Sequence, residues 1–306
     1  MSDPRPVGVF DSGVGGLTVL QEILRRSPAE STIYLGDNAR TPYGVRPDEE
    51  VLTFSTQALD ALVERDVKAL VVACNTSTAV GIGEYRRRYD LPVLGVIRPG
   101  ASAAALATRN RRVGVIATPA TIRSHAYFTA IKDENPAVEV YEHATPALVP
   151  LVEGGELRGP IAEAAVAEAL SALFGERDAD GESIFPRPPG ATVDTLLLGC
   201  THYPLLRPLI AAAVGERVAI VDSATATASA LAQLLTINAL EAPGTTRGTA
   251  ADAGAGGHDR PDEIAVAASH LQLTTGDPGR FLAAAVRMFG SAFPDVEQVD
   301  LAVAAR

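Results

Sequence analysis

The sequence predicts an α/β protein of two similar halves, each a doubly wound, mainly parallel sheet between helices. Three observations carry this. Short apolar runs alternate with longer helical stretches, the pattern of parallel strands joined by crossover helices. Two of the runs nearly mirror each other: Lys68-Ala-Leu-Val-Val-Ala-Cys74-Asn75-Thr76 and Asp194-Thr-Leu-Leu-Leu-Gly-Cys200-Thr201-His202. The opening Gly8-Val-Phe10-Asp11-Ser12 is also echoed by Gly114-Val-Ile-Ala-Thr118, as if the pattern restarts. A repeat this weak also arises by chance.

Residues Pro6 to Phe10 read as a strand, Gly13-Val-Gly15-Gly16 as a turn, and the stretch through about Arg26 as a helix. Ser31 to Asp37 reads as a second strand, followed by a polar loop to Gly44. A helix over about Asp48 to Arg65 precedes the Cys74 strand, which Lys68 opens at an expected solvated position. Leu91 to Ile97 is a further strand, and Arg112 begins the second half. The segment 175–190, rich in Gly, Pro, Asp and Arg, reads as a loop insertion that lengthens this half. Segment 245–262 has no apolar period and reads as a solvated surface insertion. Ile264 to Ala268 suggests a strand, and Pro278 to Phe289 a helix with one apolar side.

Bulk properties narrow the class. The chain has 306 residues, 47% hydrophobic and 21% charged, enough for a sizeable core. Its net charge of −11 argues against a broad nucleic-acid or acidic-lipid surface. No run approaches a membrane span, and the start Met-Ser-Asp-Pro-Arg-Pro has no apolar signal core. A cytoplasmic chain is therefore expected, with its two cysteines reduced. They lack zinc-ligand spacing, so no metal is expected. The two lysines, Lys68 and Lys132, sit where a Schiff base to pyridoxal phosphate is not expected.

Cys74 and Cys200 are the leading chemical candidates. Buried packing is the ordinary fate of a cysteine. Here each is expected at a strand end and a helix start, where open α/β sheets bind ligands and where a thiolate is favoured. Two opposed acid/base groups suit removal of a proton from one face of a carbon and its delivery to the other, one entering as thiolate and one as thiol. His202 is either a satisfied polar residue or the partner that tunes Cys200. Asp11 is either a helix cap or a catalytic carboxylate. The glycines after it lack dinucleotide-fingerprint spacing, so NAD is not expected. Asn75, Thr76, Thr118, Thr121 and Thr201 offer donors to a carboxylate.

Together these segments resemble glutamate racemase, within the aspartate/glutamate racemase superfamily. The matching motifs are Phe10-Asp-Ser-Gly-Val-Gly-Gly-Leu-Thr18, Tyr34-Leu-Gly-Asp-Asn-Ala-Arg-Thr-Pro-Tyr-Gly44, Ala73-Cys-Asn-Thr76, Gly114-Val-Ile-Ala-Thr118 with Thr121, Val149-Pro-Leu-Val-Glu153, and Leu198-Gly-Cys-Thr-His-Tyr-Pro204. The resemblance implies a cofactor-independent enzyme that interconverts L- and D-glutamate for peptidoglycan synthesis in a bacterial cytoplasm. It implies two pseudo-symmetric α/β domains, residues 1–98 plus 207–306 and residues 99–206, with the site in the cleft between them. Cys74 would take the α-proton of D-glutamate and Cys200 that of L-glutamate, assisted by Asp11 and His202 respectively. Asp11, Ser12, Pro42, Tyr43, Gly44, Asn75, Thr76, Thr118, Thr121, Thr201 and His202 would hold the substrate, with Glu153 an acidic residue nearby. A homodimer is the expected assembly. Arg98 and Thr145 depart from residues common in the family. Racemisation of aspartate or another acidic amino acid is the nearest alternative. A regulatory binding protein on the same fold, for instance one acting on DNA gyrase, is the more distant one.

Overall fold

The structure, a computed structural model, describes residues 2–174, 193–243, 268–290 and 296–301. Both expected insertions lie outside the described residues. The first half runs β1 (Val7–Asp11), α1 (Leu17–Arg26), β2 (Thr32–Gly36), α2 (Asp48–Val63), β3 (Ala69–Val72), α3 (Asn75–Arg88) and β4 (Val93–Gly95). The second runs α4 (Ile97–Ala107), β5 (Arg112–Ala117), α5 (Pro119–Arg123), α6 (Ala126–Glu134), β6 (Glu139–Ala144), α7 (Leu148–Glu153), α8 (Pro160–Phe174), β7 (Thr195–Gly199), α9 (Arg207–Val214) and β8 (Ala219–Asp222). Then follow α10 (Ser223–Ile237), β9 (His270–Thr274), α11 (Pro278–Phe289) and β10 (Val296–Gln298).

The strands form two parallel sheets, ordered β10-β9-β2-β1-β3-β4 and β6-β5-β7-β8. The two halves share one plan. In each, the first strand is central, the second lies on one side, and the third and fourth lie on the other. The winding direction therefore reverses between β1 and β3, and again between β5 and β7. Ligands of open α/β sheets bind outside the carboxyl ends of strands at that reversal. Cys74 follows β3 and Cys200 follows β7, so the repeat legible in the sequence places both thiols at equivalent points.

The central strands are continuous apolar runs because both sheet faces are covered by helices. Every residue of β1, β3 and β7 is buried. Edge strand β6, Glu-Val-Tyr-Glu-His-Ala, is half-buried and reads poorly as a strand. One apolar cluster crosses from the first sheet to the second: it contains Val9 and Leu17 together with Ile116, Leu198 and Leu231. Helix α10 packs against both α1 and α4, joining the halves behind the cleft. No helix among the described residues is long and apolar enough to cross a membrane.

Two expectations need correction, and a third falls on residues that are not described. The chain was expected to return to the first domain at residue 207, yet β8 pairs with β7 and completes the second sheet. The return to the first sheet comes with β9. The expected strand at 264–268 lies largely outside the described residues, and the strand that pairs with β2 is His270–Thr274. Lys68 is not solvated: it is 2% exposed, with Nζ 2.5 Å from Glu30 Oε2 and donating to the Asp3 carbonyl at 2.8 Å. A buried carboxylate remote in sequence explains how a lysine enters this interior.

Candidate active site

The loops after β1, β3, β5 and β7 meet at one cleft of about 60 Å³. At about 10–15 Å³ per water-sized unit, that is room for a small amino acid rather than a nucleotide. Its wall contains Ser12, Cys74, Asn75 and Thr76 from the first half, and Thr118, Cys200, Thr201 and His202 from the second. Pro42, Tyr43 and Gly44 complete it from a short 3-10 turn. Three expected site residues stand just behind this wall. Asp11 accepts from Thr201 Oγ1, Thr121 shares hydroxyl contacts with Thr118, and Glu153 pairs with His202. Sequence reasoning missed Thr41, Val45, Pro119, Pro146, Val149 and Pro150. Of these, Thr41, Val149 and Pro150 fell inside matched motifs, whereas a lone Val45 in a turn carries no signal.

Cys74 is the N-cap of α3, and its sulfur accepts from the Ser77 amide at 3.4 Å. Its thiol donates to Ser12 Oγ at 3.5 Å. The expected lowering of its pKa by the helix start does not prevail. Burial, and then the Asp11 carboxylate, push the thiol up to about 12, outweighing the Ser12 and Ser77 hydrogen bonds. Cys200 differs. The residues after it form a 3-10 turn, Tyr203–Leu206, so Cys200 caps no helix. Its neighbour is instead His202 Nδ1, 3.7 Å from the sulfur.

His202 is 3% exposed, and its Nε2 lies 3.3 Å from Glu153 Oε1, close enough for charge pairing although not aligned as a hydrogen bond. Burial would lower its pKa. The Cys200 hydrogen bond, Glu153 and Asp11 together outweigh burial and raise it to about 10. The two sulfurs therefore sit in opposite local fields, a carboxylate beside Cys74 and an imidazolium beside Cys200.

Asp11 is fully buried and raised from the ordinary carboxylate value by desolvation, against the opposing pull of His202 and the hydrogen bonds. The amides of Gly13 and Gly16 donate to its Oδ2 at 3.1 and 3.0 Å. The chain passes so close to the opposite half that a Cβ on Gly15 would stand 2.6 Å from Thr201 Oγ1 and 2.7 Å from His202 Nδ1. The glycine loop is thus an approach of backbone to the second half's chemistry, not a nucleotide motif. Thr76 and Thr118 hydroxyls meet across the cleft at 2.9 Å, and Thr118 and Thr121 at 3.0 Å. Tyr43 is held by its hydroxyl on Asp37, which also accepts from Arg40 Nε at 2.7 Å. Thr145 takes part from behind: its hydroxyl donates to Tyr203 at 2.7 Å, bracing the Cys200 loop.

Among the described residues, no lysine or arginine lines this cleft. Its polar donors are hydroxyls, an amide and one imidazole. No group of three or more His, Cys, Asp or Glu that could hold a metal occurs among the described residues. Two parallel sheets of one plan that bring two thiols to one small cleft form an α/β enzyme of racemase type. Comparison with known proteins agrees. Residues 7–181 match the family model for Asp/Glu/hydantoin racemases. The glutamate racemase of Geobacter metallireducens is 42% identical over 297 residues, 97% of each chain. The crystal structure of a glutamate racemase from Bacillus anthracis superposes with TM-score 0.82 at 37% identity, covering 97% of this chain and 98% of that one. A glutamate racemase of Francisella tularensis in complex with D-glutamate gives TM-score 0.80 at 32% identity, covering 98% and 99%. The chain belongs to the Asp/Glu/hydantoin racemase family, among its glutamate racemases.

Proposed function

We propose that this enzyme interconverts L- and D-glutamate without a cofactor, by proton transfer between Cys74 and Cys200, and supplies D-glutamate for peptidoglycan. The observation that carries the reading is the placement of both thiols at equivalent strand ends of two halves, facing one cleft. In the L-to-D direction the Cys200 sulfur takes the α-proton, breaking C–H and forming S–H. Cys74, holding its proton at neutral pH, gives it to the opposite face of the carbon. The charge is then on Cys74 and the proton on Cys200, so a proton must return between turnovers. The D-to-L reaction runs the same steps backwards. His202 accompanies the Cys200 sulfur and Asp11 the Cys74 side.

An α-proton is weakly acidic, and ionising it without an electron sink demands desolvation, alignment and fixed donors. The cleft offers these through Ser12, Asn75, Thr76, Thr118 and Thr201, with Thr121 behind and Pro42, Tyr43 and Gly44 along one wall. Glutamate is favoured over aspartate by the relatives, which are named for it, and by the D-glutamate held in the Francisella structure. The test is incubation with L-glutamate in D₂O without added cofactor. Inversion with α-deuterium uptake, crippled in both Cys74→Ser and Cys200→Ser, is expected. Wild-type protein that leaves the α-carbon unexchanged refutes the proposal.

A further inference from the structure

We propose that Tyr127 is a positioning residue for this reaction, setting the orientation of the Asn75 amide from across the junction of the two halves. Asn75 follows Cys74 directly, lines the cleft and is 3% exposed. Its Oδ1 accepts a hydrogen bond from the Tyr127 hydroxyl at 2.6 Å. Its Nδ2 is fully buried and has no hydrogen-bond partner among the described residues. Such an unpaired donor is uncommon in a folded interior and calls for an acceptor from elsewhere. A substrate carboxylate is that acceptor, and this inference rests on the glutamate reading above.

An amide can turn over and exchange its two ends. Reversed, Asn75 would present its oxygen to the substrate, and oxygen against carboxylate is repulsive. Tyr127 removes the ambiguity. Its hydroxyl donates to the atom it faces, so the atom there must be the amide oxygen. The chain of donation runs Tyr127, Asn75, substrate. Tyr127 is wholly buried, does not line the cleft, and is held in place. A side chain at Gly199, the residue before Cys200, would stand 2.9 Å from its ring. Tyr127 comes from α6 of the second half and Asn75 from α3 of the first, so this hydrogen bond exists only with the two halves in the arrangement seen here. Substrate binding and domain approach thereby share one contact.

The experiment is a double-mutant cycle with Tyr127→Phe and Asn75→Ala, read as KM and kcat for glutamate in both directions. Tyr127→Phe alone is expected to raise KM about three- to tenfold, the loss of one buried hydrogen bond, with kcat changed less. In the Asn75→Ala background it is expected to change nothing further. Wild-type KM in Tyr127→Phe, or losses that multiply in the double variant, would overturn the inference. Should the Phe variant fail to fold, Asn75→Asp keeps an acceptor for the phenol but offers the substrate no donor, and must raise KM as Asn75→Ala does; a wild-type KM there would overturn the inference. A wild-type protein that turns over no glutamate would overturn the proposed function and this inference together. A wild type that turns over normally beside an unchanged Tyr127→Phe would overturn only the latter.

Discussion

Replacing Lys68 with Met removes one charge of a buried pair and leaves the other. Glu30 is 3% exposed, and the Lys68 ammonium stands 2.5 Å from its carboxylate. After the substitution Glu30 keeps, among the described residues, the Ala242 amide, which donates to Oε1 at 2.8 Å, and the Asp3 carbonyl loses the Lys68 donor. Breaking a buried pair in this way costs about 3–5 kcal/mol. With a urea dependence of about 3 kcal/mol/M, the unfolding midpoint should fall by about 1–2 M. Far-UV circular dichroism in urea reads this directly. Activity at 25 °C in the absence of urea should be unchanged, because the pair sits at the opposite end of the first sheet from Cys74. A double variant, Lys68→Met with Glu30→Gln, should recover much of the loss, since no lone charge stays buried. A single-variant shift below about 0.3 M, roughly 1 kcal/mol on that slope, would refute the reasoning.

Two further outcomes follow from the site. The folded protein holds the His202 proton to about pH 10 against an ordinary 6.5, so that contribution to stability is complete below pH 6.5 and is lost as pH rises toward 10. Urea midpoints should decline across this window in the wild type and decline less in His202→Asn; equal slopes would count against the assignment. The Cys74 thiol has the same sign in a later window, between 9.0 and about 12. Gly44→Ala would place a methyl 2.5 Å from Thr118 Cβ, across the junction of the halves. A loss of kcat/KM of at least about tenfold is expected, in line with the cost of small misplacements in catalytic sites, and a wild-type value would show that the turn yields freely.

The sequence disclosed the central strands and the two cysteine loops because both are local signals: a buried parallel strand is an unbroken apolar run, and the residues after it are small and polar. It disclosed edges poorly. Glu139–Ala144 carries polar side chains because one strand edge and part of a face meet water, and Ala219–Asp222 is too short to register against the helices beside it. What depends on distant partners was hidden or misread. Lys68 looked solvated because Glu30 belongs to another loop. Cys74 looked easily ionised because a helix start is visible in sequence, whereas its burial and the carboxylate of Asp11 are not. The asymmetry between the two thiols arises partly from such a tertiary neighbour, Asp11 on the Cys74 side, and partly from His202, which stands where the first segment has Thr76.

Helix α10 touches α1 of one half and α4 of the other, and the apolar cluster beneath it is continuous. The consequence concerns how the chain can come apart: each half finishes the other's interior. Expressed separately, neither would find cover for its share of that cluster, and both would meet water with side chains such as Leu17 and Leu231. The two halves should therefore unfold together, as one cooperative unit.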